Sequence, residues 1–311
     1  MRYIHDTDKF TIEGATVVTL GKFDGVHKGH QKLLATVRDK ASGYGAMSAA
    51  FTFDHIPVSL SKTPGQSYIM TNAERRSFIE SLGIDILVEY PFTSEFMNTE
   101  PEVFVEDIIR KSLKAVCVVV GPDYTFGKGG RGNVQMLADM ADEAGFELVV
   151  VPKECYEERE ISSTFVREEL QVGHMETVNM LLARPYSVNG VIAKGSQIGR
   201  TMNLPTINIY PPAGKLLPPN GVYASVTILG GKSFYGVTNV GIKPTVKDNA
   251  EISVETFLFD FDEDVYGVNV EVQLRHFQRP EMKFDNIEAL HKQIDADAQF
   301  ARQLFMICKC Q

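Results

Sequence analysis

The chain has 311 residues with hydrophobic residues at 44% of its positions, and this length and composition suit two globular domains. Its formal net charge of −9 disfavours a nucleic-acid-binding protein, whose binding face is usually basic. No run of about eighteen apolar residues is present to span a bilayer, and the first ten residues lack the apolar segment of a signal peptide. The four cysteines have no paired CxxC spacing, which argues against a zinc site or a disulfide framework. From these observations together we expect a cytoplasmic protein without membrane or nucleic-acid partners.

The first half of the chain alternates apolar runs with amphipathic stretches. Five runs predict buried strands: TVVTL (16–20), MSAAFTF (47–53), IDILVEY (84–90), AVCVVVG (115–121) and FELVVV (146–151). Apolar residues at helical spacing between Gln31 and Ala41 predict a helix, and the capping-box patterns Thr71-x-x-Glu74 and Thr99-x-x-Glu102 predict two more helix starts. Strands alternating with helices predict a doubly wound, Rossmann-like parallel sheet, which binds ligands beyond the carboxyl ends of its strands.

The second half has a different pattern. After about Ala183, short β-rich segments are separated by Gly, Pro and Asn, which predicts a small antiparallel β-barrel. An apolar stripe at helical spacing over residues 285–309 predicts a C-terminal helix that closes the barrel. We place the domain boundary near Leu182–Pro185, which gives domains of residues 1–183 and 184–311.

The first candidate site is the segment TLGKFDGVHKGHQKLL, which follows the first predicted strand and opens the first helix. Gly21, Gly25 and Gly29 permit tight turns and close approach of a ligand to the backbone. His27 and His30 lie at the helix N-terminus, where N–H groups and the helix dipole favour an anion, and two imidazoles can donate hydrogen bonds to a phosphoryl oxygen. The alternative is a surface turn with two solvated histidines.

A second candidate phosphate segment, ISSTFVR, comes before the predicted boundary. Ser162 or Ser163 can cap a helix that runs to Gly173. Arg167, one turn inside this helix, supplies a planar cation for phosphates. A helix cap with a solvated arginine is the alternative that the residues by themselves favour.

The barrel half carries its own polar pattern, GSQIGRT followed by LPTIN. Thr206 and Asn208 alternate along an extended segment, so both side chains face the same side, and their oxygens suit a hard cation. Gly195 and Gly199 permit a loop to approach phosphates closely. Arg200 can contact phosphates or form a surface salt bridge, and a β-turn with two polar strand residues is the alternative for the whole segment.

Taken together and in this order, the segments resemble the bacterial bifunctional riboflavin kinase/FAD synthetases over about residues 14–310. GKFDGVHKGHQ resembles the HxGH motif of nucleotidyltransferases, ISSTFVR resembles the ISSTxxR motif, and GPDYTFGKGGRGN (121–133) resembles the GxDFxFG loop. The resemblance implies adenylyl transfer to FMN, with His27, His30 and Arg167 as catalytic residues. The implied nucleotide contacts are Gly21, Phe23, Gly25, Gly29, Asp123, Ser162, Ser163 and Thr164. Tyr124 and Phe126 are implied flavin contacts, with packing in the core as the alternative.

In the second half, the resemblance is to the riboflavin kinase pattern GRxxGxPTxN, and it continues through residues 220–223, 236–245, 254–261 and 279–284. It implies that Thr206 and Asn208 hold the magnesium of ATP and that Glu255 is the general base. The implied nucleotide contacts here are Gly195, Gly199 and Arg200, and the implied flavin contacts are Asn239 and Arg279. The implied substrates and products are ATP, riboflavin, FMN, FAD and pyrophosphate, and the implied cofactor is Mg²⁺.

Three departures from the family pattern keep other functions open. Phe165 stands where the family often has arginine, Asn203 stands where glycine is frequent, and His55-Ile56-Pro57 differs from the commoner segment. A transferase with one working site is therefore an alternative. A flavin-binding protein without turnover is another, and nucleotidyl transfer to a different acceptor is a third, because HxGH is shared across its superfamily.

Overall fold

The computed structural model describes residues 1–54, 67–194, 206–243 and 251–309. The chain divides into two compact units, which we call unit 1 (Met1–Ser163) and unit 2 (Thr164–Gln311). Each unit has its own sheet. The predicted functional boundary near Leu182–Pro185 lies between a helix that ends at Leu182 and a strand that begins at Tyr186.

The described residues of unit 1 form ten strands and a series of helices. The strands are β1 (Arg2–His5), β2 (Thr16–Leu20), β3 (Met47–Phe53), β4 (Ile86–Tyr90), β5 (Ala115–Val120), β6 (Thr125–Phe126), β7 (Gly132–Asn133), β8 (Glu147–Val150), β9 (Cys155–Tyr156) and β10 (Arg159–Glu160). The helices are α1 (Lys28–Tyr44), α2 (Asn72–Ser81), α3 (Ser94–Met97), α4 (Pro101–Val103), a π-helix (Phe104–Ser112), a 3₁₀ turn (Lys128–Gly130) and α5 (Val134–Ala144).

The main sheet of unit 1 has the order β1-β4-β3-β2-β5-β8, and all of its pairs are parallel. The doubly wound fold and the five predicted strands are thus confirmed, because β2, β3, β4, β5 and β8 coincide with the predicted runs. Four of the five are buried as predicted, whereas β8 is an edge strand with exposed ends, and for that strand the predicted burial is wrong. The sequence analysis missed β1, whose residues Arg2 to His5 form an edge strand with exposed ends. Strand order reverses between β2 and β5, and this is the point where such sheets bind ligands.

One of the two predicted capping boxes is present. Thr71 accepts a hydrogen bond from the Glu74 amide at 3.2 Å, and the Glu74 carboxylate accepts one from the Thr71 amide at 2.8 Å. The prediction of a helix start at Thr99 is wrong, since α4 begins at Pro101. Proline is favoured at the first helical position because its ring fixes φ and it has no N–H to satisfy there.

Unit 2 contains α7 (Met175–Leu182) and most of α6 (Ser163–Val172), followed by strands and a long final helix. These elements are β11 (Tyr186–Val191), β12 (Thr206–Ile209), β13 (Gly221–Leu229), β14 (Lys232–Lys243), β15 (Glu251–Leu258), β16 (Asn269–Pro280) and α8 (Ile287–Lys309). The strand order is β11-β16-β13-β14-β15-β12, with antiparallel pairs throughout.

Among the described residues, one bridge closes these strands into a ring. The Ala193 amide, just after β11, donates a hydrogen bond to the Asn208 carbonyl of β12 at 2.8 Å. On the outer face, Ala301 and Phe305 of α8 pack against apolar side chains of the barrel, among them Val222 and Val237. The predicted antiparallel barrel and its C-terminal helix are therefore confirmed.

Candidate functional sites

The first site is the loop between β2 and α1. Phe23 and Val26 both have positive φ angles, of 49° and 37°, although neither is glycine. Such backbone costs of order 1–3 kcal/mol per residue and persists only where the surroundings hold it in place. Here both side chains are fully buried, so their packing fixes the loop. Gly25 supplies a third positive φ, of 80°, at a position where a Cβ would press on Ile69 at 3.1 Å.

At the end of this loop lies a pair of histidines. His27 is the N-cap residue of α1, and its ring stacks on that of His30 with the centroids 3.8 Å apart. The edge of Phe23 contacts the His30 ring at 5.1 Å between centroids. A Cβ at Gly29 would lie 3.3 Å from the His27 ring and 3.9 Å from the Ile161 carbonyl oxygen. Glycine at position 29 therefore lets the histidines and the start of the ISSTFVR segment approach one another.

The electrostatic surroundings keep His30 neutral. Burial lowers the pKa of His30 well below its ordinary 6.5, and the nearby charge of His27 lowers it further. At neutral pH the His30 ring therefore carries one N–H, and its other nitrogen is an acceptor. Its Nδ1 atom is buried and makes no hydrogen bond within the part of the chain that the structure describes. A neutral imidazole whose orientation is fixed by stacking can donate its single N–H to a phosphoryl oxygen.

Asp24 and Ser163 attach the loop to its neighbours. The Asp24 carboxylate accepts hydrogen bonds from the backbone amides of Ile69 and Met70 at 3.0 and 3.3 Å. The Ser163 hydroxyl donates to the Asp24 carbonyl at 2.8 Å. Two segments that the sequence analysis selected separately, the histidine loop and the start of ISSTFVR, thus lie in direct contact.

The remainder of ISSTFVR is on α6. Ser162 is half-buried, Thr164 is exposed, and Phe165 is buried. Arg167 lies one helical turn beyond Ser163 and is half-buried. The cation that the family often has at position 165 is thus replaced here by an apolar side chain packed inside the protein.

Charged side chains connect the loop after β5 to the segment that precedes α6. The Asp123 carboxylate is exposed and pairs with Lys153 at 2.9 Å, and Lys153 also pairs with Glu160 at 2.6 Å. Glu160 directly precedes Ile161. The loop that follows β5 is therefore tied to the segment that leads into ISSTFVR, and both lie beside the point where strand order reverses.

The aromatic residues of the same loop pack in the core. Tyr124 and Phe126 stack with their centroids 5.8 Å apart. Phe126 is only 6% exposed and contacts Phe104 at 5.5 Å. A Cβ at Gly132 would lie 2.7 Å from the Phe126 ring, and burial raises the pKa of the Tyr124 hydroxyl. These surroundings favour core packing over flavin contact for Phe126, while Tyr124 is half-buried.

The second site lies on the barrel wall, away from its interior. In the pairing of β12, β15 and β14, Asn208 is opposite Glu255, and Glu255 is opposite Asn239. Directly paired residues have side chains on the same face of a sheet, so these three form a row. Thr206 is two residues from Asn208, and its hydroxyl donates to Glu255 Oε1 at 3.0 Å. The sequence-predicted oxygens of Thr206, Asn208 and Glu255 are therefore assembled on one face.

A further carboxylate reaches the same row. Asn239 Nδ2 donates to Glu281 Oε1 at 3.3 Å. Gly241 leaves room for this side chain, because a Cβ there would overlap the Glu281 carboxylate. Sequence reasoning had noted the segment that contains Glu281 without giving this residue a role, and only the strand pairing shows its position.

Arg279 has a strong partner inside the protein. Its Nε donates to Asp297 Oδ1 at 3.0 Å, and its Nη2 donates to Asp297 Oδ2 at 2.7 Å. Asp297 is on α8 and is buried, and it also accepts a hydrogen bond from Gln293 at 3.0 Å. The predicted flavin contact is thus held in a bidentate ion pair that joins β16 to α8. Three other predicted contacts, Gly195, Gly199 and Arg200, lie outside the described residues, as do residues 55–57 and Asn203.

The sequence analysis also missed a buried ion pair beside the histidine loop. Arg75 on α2 and Glu89 on β4 are 5% and 4% exposed. The signal was available in part, because Arg75 lies four residues before the buried Ile79 and so shares the apolar face of α2. A cation on an apolar face needs a partner, but the sequence does not show which one.

Comparison with known families agrees with this geometry. The family model described as FAD synthetase matches residues 9–165, and the model described as riboflavin kinase matches residues 182–305. Curated relatives described as bifunctional riboflavin kinase/FMN adenylyltransferase include those of Listeria monocytogenes, 35% identical, and Bacillus subtilis, 34% identical. These alignments cover 97% and 98% of both chains. The relative from Escherichia coli K12 is 32% identical over 99% of this chain and 98% of its own.

A solved structure shares the fold over almost the whole chain. It is described as a macrolide-efflux protein from Streptococcus pneumoniae, is 29% identical and superposes with a TM-score of 0.87. The match covers 96% of this chain and 98% of that one. In the described part of the present chain, the helices are all too short or too polar to cross a membrane.

Proposed function

This chain belongs to the family of bifunctional riboflavin kinase/FMN adenylyltransferases, and from that premise we propose which of its residues carry the two activities. Residues 1–183 transfer AMP from ATP to FMN, which gives FAD and pyrophosphate. Residues 184–311 transfer the γ-phosphoryl group of ATP to riboflavin, which gives FMN. Both reactions take place in the cytoplasm, where ATP is available, and both use Mg²⁺ with the nucleotide.

In adenylyl transfer, an oxygen of the FMN phosphate forms a bond to the α-phosphorus of ATP, and the bond from that phosphorus to the bridging oxygen of pyrophosphate breaks. His27 and His30 hold the α-phosphoryl oxygens, and the neutral His30 ring donates through its N–H as negative charge grows in the transition state. Arg167 binds phosphate oxygens through its planar guanidinium. Positioning and charge stabilisation then supply the rate, without a protein nucleophile.

In riboflavin phosphorylation, Glu255 takes the proton of the ribityl 5′-hydroxyl while that oxygen forms a bond to the γ-phosphorus of ATP. The bond from that phosphorus to the bridging oxygen breaks, and ADP leaves. The hydrogen bond from Thr206 orients the Glu255 carboxylate. The hydroxyl of Thr206 and the amide oxygen of Asn208 are hard donors that would hold Mg²⁺, and the ion would supply positive charge against the triphosphate. Asn239 lies beside Glu255 in the row and contacts the flavin substrate.

One observation carries the proposal furthest: the strand pairing places Asn208, Glu255 and Asn239 in a single row, with Thr206 hydrogen-bonded to the central carboxylate. This row brings together the oxygens proposed to hold Mg²⁺ and the carboxylate proposed as the base. The histidine pair supports the other half, since stacked and desolvated imidazoles at a helix N-terminus suit an anionic ligand.

The test is a time course with the purified chain, riboflavin, ATP and magnesium chloride, in which riboflavin, FMN and FAD are separated by chromatography. We expect FMN first and FAD later, and no product when the divalent cation is chelated. A second reaction starts from FMN and should yield FAD and pyrophosphate. Flavin binding with no product from either substrate, oxidised or reduced, would overturn the proposal and support a flavin-binding protein without turnover.

A further inference from the structure

Arg75 makes an unusual set of contacts for a buried cation. Its Nη1 donates to the Lys22 carbonyl at 3.0 Å, and its Nη2 donates to the Phe53 carbonyl at 2.6 Å and to Asn72 Oδ1 at 3.0 Å. The same Nη2 forms an ion pair with Glu89. One guanidinium therefore neutralises a buried carboxylate and satisfies two backbone carbonyls from different parts of the chain.

The two carbonyls belong to the ends of adjacent strands. Phe53 is the last residue of β3, and Lys22 lies two residues after the end of β2. The Lys22 carbonyl also accepts a hydrogen bond from the Thr52 hydroxyl at 3.2 Å. Arg75 thus holds the histidine loop at the point where it leaves the sheet.

Glu89 is held from its other side, so Arg75 has little freedom. The Tyr3 hydroxyl donates to Glu89, and the Arg76 guanidinium lies over the Tyr3 ring at 4.5 Å. Burial, with the hydrogen bond to Glu89, raises the pKa of Tyr3 to about 12, so the hydroxyl remains a donor. A fixed carboxylate and three fixed acceptors together determine the plane of the Arg75 guanidinium.

The hydrogen bonds of Arg75 can influence His30 through Lys22 and Phe23. Lys22 precedes Phe23, whose φ of 49° needs support from outside the loop. Phe23 is fully buried and presents its edge to the His30 ring. Without the Arg75 donor, the Lys22 carbonyl would keep only the 3.2 Å hydrogen bond from Thr52. The peptide that sets the φ angle of Phe23 could then rotate, and the His30 ring would lose the contact that orients it.

We infer that Arg75 is a positioning residue for adenylyl transfer, which acts through the Lys22 carbonyl and Phe23 on the orientation of His30. This inference rests on the proposed role of the histidine pair. It assigns to Arg75 an influence on FAD formation and none on FMN formation. A purely structural ion pair would behave differently, because its loss would lower stability while each folded molecule kept its adenylyl kcat.

Arg75→Lys tests the inference with little change in charge. Lysine can still pair with Glu89, but its single ammonium cannot serve both carbonyls in the planar geometry of arginine. We expect the kcat for FAD formation from FMN to fall by about 100-fold, as for a misplacement of about 1 Å at a reacting group, with the KM for ATP changed by less than about threefold. Riboflavin phosphorylation by the same molecules should be unchanged.

The matched control is Arg110→Lys. Arg110 is an exposed arginine of unit 1 that pairs with Glu106 at 3.0 Å, and its replacement should leave both activities unchanged. Guanidinium ion in the buffer should restore part of the adenylyl kcat of Arg75→Ala and have no such effect on Arg110→Ala. If Arg75→Ala does not fold, Arg75→Met combined with Glu89→Gln removes both charges together and leaves no unpaired buried ion.

A substrate-free readout completes the test. In ¹⁵N spectra of the histidine rings, the His30 signals should shift in Arg75→Lys and the signals of the exposed His174 should not. Wild-type kcat and unshifted His30 signals in Arg75→Lys would overturn the inference and leave the proposed function standing. Absence of FAD formation by the wild-type chain would overturn both.

Discussion

The two candidate sites are built in opposite ways. The histidine site lies on a loop whose backbone is strained at Phe23 and Val26 and is supported by side chains far away in sequence, such as Arg75 and Ser163. The barrel site lies on strands in ordinary extended conformation, and strand register alone brings Asn208 opposite Glu255. A loop site therefore depends on distant support, whereas a strand site depends on pairing.

This difference predicts separate ways of failing. A change in a supporting residue should disturb the loop site without touching a catalytic group. The barrel row should tolerate changes at distant positions and fail when a member of the row is replaced, because sheet register is fixed by many hydrogen bonds at once. Because one chain contains both sites, each activity is an internal control for the other.

The largest expected effect is that of Glu255→Gln. Without a carboxylate to take the proton of the ribityl hydroxyl, riboflavin phosphorylation should fall by about 10²–10⁴-fold. FAD formation from added FMN should stay at the wild-type rate. Glu271→Gln on β16 is the control, since Glu271 contacts Gln273 and lies outside the row. Retention of kinase activity in Glu255→Gln would remove the base from the proposed mechanism.

His30→Ala should have the next largest effect, and the activity that it lowers should be FAD formation instead of riboflavin phosphorylation. Loss of one preorganised donor to the transition state costs about 10²–10³-fold in kcat, so FAD formation should nearly cease while FMN formation continues. His174→Ala replaces a histidine that is 66% exposed and should change neither rate. Chromatography of both products from a single reaction measures this, and an equal fall in both activities would count against separate sites.

Asp297→Asn tests how much the ion pair between Arg279 and Asp297 stabilises the barrel. It leaves Arg279 half-buried without a carboxylate, and this should lower the free energy of unfolding of unit 2 by about 3 kcal/mol, measured by urea denaturation. Asp260→Asn is the control, because Asp260 is exposed and pairs with Arg302 of α8, and its replacement should leave the free energy of unfolding nearly unchanged. A raised KM for riboflavin in Asp297→Asn would show that Arg279 also acts on the flavin.

The smallest expected effect is a pH dependence specific to the loop site. Because burial lowers the pKa of His30 below 6.5, the unfolded chain binds a proton at that residue as the pH falls below 6.5 while the folded chain does not. Its contribution to stability is thus complete above pH 6.5 and is lost as the pH falls toward the lowered pKa, by up to about 1.4 kcal/mol per pH unit.

Amide hydrogen exchange of β2 at pH 7.5 and 5.5 would measure this loss in unit 1. In His30→Gln the dependence on pH should be shallower, whereas in His174→Gln it should match the wild type. An equally steep dependence in His30→Gln would mean that other groups carry the effect and that His30 is not desolvated in the folded protein.

Much of the fold could be predicted from the sequence because its signals are local. Apolar runs predicted five strands of the parallel sheet, and the period of apolar residues predicted α8. β1 could not be predicted, since RYIH is an edge strand with no apolar run of its own. Thr99 matched a capping pattern, but Pro101 begins the helix instead.

The candidate sites were predictable to the extent that they follow from short-range spacing. Alternation was enough to place Thr206 and Asn208 on one side of a strand, and the glycine-rich turn was enough to place two histidines at a helix start. Register across strands is not written in spacing, so the row through Glu255 and Asn239 could be reached only by resemblance. The Lys22 carbonyl that Arg75 binds lies 53 residues away in sequence, and the Asp297 partner of Arg279 lies 18 residues away, beyond any local pattern.

Asn208 contributes to the barrel through both its main chain and its side chain. Its carbonyl accepts the Ala193 hydrogen bond that closes the ring, while its side chain belongs to the row with Glu255. The pairing of β12 with β15 sets the side chain of this residue in the row, and the bridge to Ala193 holds its main chain. A substitution that displaced the main chain at Asn208 would therefore disturb both the closure of the ring and the geometry of the row, because one residue serves both.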